Sequence, residues 1–74
     1  MAFIADINPF YDKFKQDYNQ AVLNSYEKVF IIKIDEQIRF MGYNSCQYKS
    51  HPDKKSTGWY MDDNEFNLFV LRYS

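Results

Sequence analysis

Two glycines, two prolines, one cysteine and one histidine among 74 residues leave little material for several kinds of site. With glycine only at positions 42 and 58 there is no glycine-rich loop to cradle a phosphate, which argues against a nucleotide-dependent enzyme. One thiol, Cys46, cannot form an internal disulfide framework, and with His51 alone beside it a closed zinc site of Cys and His ligands is excluded. Apolar runs such as Val29-Phe30-Ile31-Ile32 fall far short of the ~20 residues that span a bilayer. No charge of one sign dominates: 9 basic against 10 acidic side chains give a net charge of −1. Such a balance fits neither a basic nucleic-acid coater nor an acidic nucleic-acid mimic. The opening MAFIADINPF has no basic stretch, and Asp6 interrupts its apolar residues, so no signal peptide is expected. An unpaired thiol fits a reducing compartment, which makes the cytoplasm the expected location, with no membrane partner.

What the chain has in plenty is aromatic rings: seven Phe, seven Tyr and one Trp. The length allows one domain, residues 1–74, and a chain this short buries only roughly 60% of its unfolded surface. Phe, Tyr, Asn, Lys and Ile, whose codons are AT-rich, fill 33 positions, against 9 for Ala, Gly, Pro and Arg. That skew points to an AT-rich microbial genome, or to a phage or mobile element within one.

The pattern predicts a helix over residues 9–25. Asn8 is placed to cap it and Pro9 to open it, where a missing N–H costs nothing. Phe10, Tyr11, Phe14, Tyr18, Ala21 and Val22 share one face, with Lys13 and Asp17 spaced as an i,i+4 ion pair on the other. Residues 28–35 (KVFIIKID) read as a strand rich in branched side chains, and residues 37–43 as a second one. A competing reading of this stretch is a short helix opened by Asp35 and stopped by Gly42. Residues 44–58 read as an exposed polar loop. Residues 57–73 read as a hairpin: Trp59 and Met61 alternate with Tyr60, Asp62-Asp63-Asn64 turns, and residues 66–73 return as a strand apolar on both faces. The sum is an α+β domain, one N-terminal amphipathic helix packed on a three- or four-stranded antiparallel sheet.

Candidate chemistry is sparse. Cys46 and His51 are the one pair able to form a thiol nucleophile and its base, but nothing in the sequence orients them, and a lone cysteine is usually a small core residue. The acids at Asp35-Glu36 and at Asp62, Asp63 and Glu65 match no calcium-loop spacing and suit turns, where such side chains bond the local backbone. No catalytic residue, metal ligand or cofactor is therefore assigned, and the chain reads as non-enzymatic.

Two binding readings remain. Rings beyond the needs of one small core suggest a protein-binding surface, since tyrosine offers a large apolar area with a polar tip. On this reading the chain is a stoichiometric inhibitor or accessory protein of mobile-element type, anti-defence or immunity-like. It occludes a larger protein, with a homodimer as one form. The alternative is a small single-stranded nucleic-acid-binding domain using residues 48–60, where three lysines and one aspartate give a charge of +2 between aromatic rings. The residues singled out for partner contact are Tyr43, Tyr48, Lys49, Lys54, Lys55, Trp59, Tyr60, Asp62, Asp63 and Glu65.

Overall fold

The computed structural model describes residues 1–25, 30–51, 53 and 56–74. Three helices and a three-stranded antiparallel sheet build an α+β domain. In chain order the elements are β1 (Ala2–Ile4), α1 (Asn8–Leu23), α2 (Ile34–Phe40), β2 (Gln47–Ser50), β3 (Thr57–Met61) and α3 (Asp63–Tyr73). The sheet order is β1-β3-β2, with β3 central and antiparallel to both neighbours.

The expected N-terminal helix is present as α1. Its first turn is satisfied differently from expectation: Asn8 lies inside the helix, and its N–H donates to Asp6 Oδ1 at 3.0 Å. The ring stripe does face the core, with Phe14 and Tyr18 buried, while Tyr11 at its margin is exposed. Lys13 and Asp17 do not serve each other. Lys13 Nζ donates to the Ser74 carbonyl at 2.7 Å, and Asp17 Oδ2 takes Arg72 Nε at 3.0 Å and the Tyr73 hydroxyl at 2.7 Å. Both polar side chains therefore tie α1 to α3.

The strand expected over residues 28–35 is not formed in its described part. Residues 30–33 carry no strand pairing, and the helix α2 starts at Ile34 in place of both expected strands. End chemistry explains the outcome. Asp35 and Glu36 occupy the first turn and Arg39 the last, each at the favourable end of the helix dipole. Arg39 Nη1 meets Asp35 Oδ2 at 3.1 Å across one turn. Gly42 stops the helix at φ 105°, a backbone angle that L side chains rarely adopt, and its N–H returns to the Arg39 carbonyl at 3.0 Å. The short-helix alternative, with Asp35 as its cap, thus places the stop correctly and the start two residues late, since the capping position is Lys33.

The polar stretch 44–58 is not all loop, since residues 47–50 form β2 and β3 begins at Thr57. The expected hairpin over 57–73 keeps its first strand only. Residues 63–73 are helix: Phe66, Phe69 and Tyr73, spaced three and four apart, pack into the core, with Phe69 and Tyr73 buried. Asp63 and Glu65 stand in its first turn.

One core joins these elements. Phe69 touches Phe10, Phe14, Tyr43 and Tyr73 at ring separations of 4.9–5.8 Å. Ile4 and Met61, from one face of the sheet, and Ile38 from α2 close the same cluster. Alternation sends Phe3 and Tyr60 to the opposite face, where they lie directly across from each other with rings 4.9 Å apart. Gly58 makes this contact feasible. A Cβ there would collide with the Ile4 carbonyl oxygen and the Phe3 ring, so the ring lies across bare backbone.

Candidate protein-binding surface

A groove of about 540 Å³ lies between the chain entering α2 and the face of the sheet that carries Tyr48 and Trp59. One wall is the approach to α2, Ile32, Lys33, Ile34 and Asp35, and the other is Tyr48 and Trp59. Tyr48 of β2 lies directly across from Trp59 of β3, their rings 4.8 Å apart. Trp59 packs partly into the core behind, whereas Tyr48 is half-exposed. Ile32 of the groove wall is 91% exposed, and Phe30, two residues before it in the chain, is 86% exposed.

These side chains are presented by an anchored segment. Gln37, buried on α2, donates from Nε2 to the Ile31 carbonyl at 2.8 Å and accepts from Lys15 Nζ at 2.8 Å. Its amide thereby ties residues 30–33 to both α2 and α1, and the strip between Phe30 and Ile32 is held while its flanking side chains stay in water. A second exposed apolar strip lies on the outer face of α3, where Leu68 is 60% and Leu71 80% exposed.

The sheet divides the residues singled out from the sequence. Tyr48 and Trp59 share the groove face. Lys49 and Tyr60 point to the other, with Lys49 Nζ 4.8 Å from the centre of the Tyr60 ring. Tyr60 is buried between Phe3, His51 and that lysine, and Tyr43 is buried against Phe69 and Tyr73. Both tyrosines, expected at the surface, are core residues because their rings complete aromatic clusters on either side of the sheet. Lys54 and Lys55 lie outside the described residues.

Asp62 and Asp63 are exposed, and Asp63 lies 3.7 Å from the Met1 amino group. Glu65 has a structural task. Its Oε1 accepts the Ser45 N–H at 2.9 Å and the Ser45 hydroxyl, while Ser45 Oγ accepts the Asp62 N–H at 2.9 Å. These bonds from Ser45 hold the Glu65 carboxyl below its ordinary value, against the opposing effect of partial burial. They clamp the start of α3 to the turn after α2.

Cys46 is fully buried in the core, and burial, with Asp35 as a lesser cause, pushes its thiol up to about 12. The thiolate is the nucleophilic form, so this cysteine is held in the inert one. His51 Nδ1 accepts the Asp53 N–H at 3.1 Å, a loop contact. Among the described residues no group of three His, Cys, Asp or Glu side chains is arranged to hold a metal ion. No described helix is long and apolar enough to cross a membrane.

No protein family, curated protein or solved structure matches the chain. The geometry of the surface therefore carries the functional argument by itself. Phe30, Ile32, Leu68 and Leu71 were not among the residues singled out from the sequence. The signal for them was the apolar character of two stretches that were read as strands.

Proposed function

We propose that the protein is a non-enzymatic protein-binding module, a stoichiometric inhibitor or accessory protein that acts by occupying the surface of another protein. The observation that supports this reading is the placement of large apolar side chains in water on anchored elements. Ile32 lines the groove with Phe30 two residues before it, and Leu68 and Leu71 mark α3. Burying one such side chain contributes roughly 1.5–3 kcal/mol, so a protein that leaves several exposed keeps that free energy for association. The acidic pair Asp62 and Asp63, exposed at the start of α3, would steer a basic partner surface and change the association rate more than the affinity. The skewed composition is the support for a mobile-element origin and, through it, for an anti-defence or immunity-like role, and the single thiol is the support for the cytoplasm.

The test is co-purification from host cells with quantified stoichiometry, using the wild type and two double variants, Phe30→Ser with Ile32→Ser and Leu68→Ser with Leu71→Ser. One protein captured in a fixed ratio, and lost in at least one variant whose circular dichroism matches the wild type, is the expected result. Capture unaffected by both variants, or absent throughout, overturns the reading. The nucleic-acid alternative separates on salt. Binding through lysines weakens steeply as salt rises, whereas an apolar protein interface changes little.

A further inference from the structure

Among the described residues β2 has one strand neighbour, β3, so its other edge offers unpaired backbone N–H and C=O groups. All four of its residues, Gln47, Tyr48, Lys49 and Ser50, are exposed, and none is a proline that would interrupt pairing. Tyr48 of this edge strand forms one wall of the apolar groove and Ile32 part of the other, with the exposed Phe30 two residues before Ile32. We infer that the groove edge is completed by a second copy of this chain: β2 pairs antiparallel with β2 of the second copy, about a two-fold axis through Tyr48. The inference rests on the protein-binding reading and supplies one occupant for the groove side.

Symmetry and charge select that register. Residues directly opposite in an antiparallel pair lie on the same face, and a two-fold axis perpendicular to the sheet keeps each side chain on its face. The axis must therefore pass through a residue and its copy, not between neighbours of opposite face. Gln47 and Ser50 stand at the strand ends, which leaves Tyr48 and Lys49 as central positions. Centring on Lys49 sets two ammonium groups opposite each other, and like charges so placed are destabilising. Centring on Tyr48 sets ring opposite ring and gives each Lys49 the Gln47 amide of the other copy. Since Tyr48 already lies across from Trp59, the paired sheets carry four rings in one row. A four-residue edge alone falls short of the ~800 Å² per partner of a stable interface. The pairing therefore needs further apolar area, for which the exposed Ile32 of the groove wall and Phe30 are the candidates. The outer face of α3, with Leu68 and Leu71, stays open for a different partner.

The experiment is sedimentation equilibrium of the purified full chain over a concentration series. The expected result is a mass rising from 9.0 kDa to twice that value. Tyr48→Asp should raise the dissociation constant about 30-fold or more with unchanged circular dichroism, as for a central interface residue. Tyr48→Phe should restore pairing. For the register, Tyr48→Cys should give a covalent dimer under mild oxidation and Lys49→Cys should not. A monomer up to about 1 mM, above which association is weaker than −4.1 kcal/mol, overturns the pairing. So does a dimer indifferent to Tyr48→Asp, or one linked through Lys49→Cys instead. A monomeric protein that still captures a host partner through either apolar strip refutes the pairing alone. Loss of both behaviours refutes the protein-binding reading as well.

Discussion

Phe69 and Phe30 are the same residue type in opposite situations. Phe69 is fully enclosed by rings from α1, α3 and the turn after α2, whereas Phe30 is 86% exposed. Around Phe69 gather Phe14, Tyr43 and Tyr73, whereas Phe30 stands outside this cluster. The difference teaches that the aromatic count by itself was a poor guide to a surface. Phe14, Tyr18, Tyr43, Tyr60, Phe69 and Tyr73 are buried, and much of the exposed apolar area is aliphatic, at Leu23, Ile32, Leu68 and Leu71. A core of stacked rings can absorb many aromatics in a short chain, leaving the binding signal to the few apolar residues that escape it.

Breaking the enclosed side should have the largest effect. Phe69→Ala is expected to cost about 3–5 kcal/mol. That approaches the roughly 4–11 kcal/mol margin of a domain this size, so urea or thermal melts should show a variant unfolded or nearly so at 37 °C. Gly58→Ala should cost roughly 1–3 kcal/mol, because the added methyl displaces the Phe3 ring and strains the β1–β3 pairing. Amide exchange should locate the loss in β1.

Glu65→Gln should cost about 1–2 kcal/mol at neutral pH, since charge-assisted bonds from Ser45 become neutral ones. Its pH signature follows from linkage. The folded-state carboxyl lies below its ordinary value of 4.5, so its contribution is present above that value and is lost as pH falls through the lower folded one. The wild type should lose its advantage over the variant on acidification, in paired melts below about pH 4.5. Phe30→Ser should have the smallest effect, within about 0.5 kcal/mol, because little is buried there to lose. A large loss in this variant would mean that Phe30 belongs to the fold and would erase the contrast with Phe69.

The fold class, α1 and β3 were legible in the sequence, and several other elements were not, for identifiable reasons. Helix α1 announces itself through Pro9 and a stripe of rings at helical spacing. In residues 66–73 the two strips mislead. Phe66, Phe69, Val70 and Tyr73 make a helical face, but Leu68 and Leu71 fill the opposite side and turn an amphipathic pattern into one apolar on both faces of a strand. The residues that hid the helix are the ones proposed above for partner contact. Residues 30–32 mislead in the same way, since branched side chains in sequence read as strand while the chain leaves them unpaired. Strand β2 was hidden because all of its side chains are exposed, so no buried alternation marks it. The groove combines residues from three separated stretches, 32–35, 48 and 59, which no local pattern brings together.

The enclosure of Cys46 makes the core observable from outside. It is the one thiol in the chain, it lies beneath the turn between α2 and β2, and its proton is held up to about pH 12. A thiol reagent reaches Sγ only through an opening that parts this turn from the helices, so the labelling rate under native conditions counts those openings. The protein thus carries its own gauge of internal opening, placed at the joint between the ring-packed core and the edge strand β2.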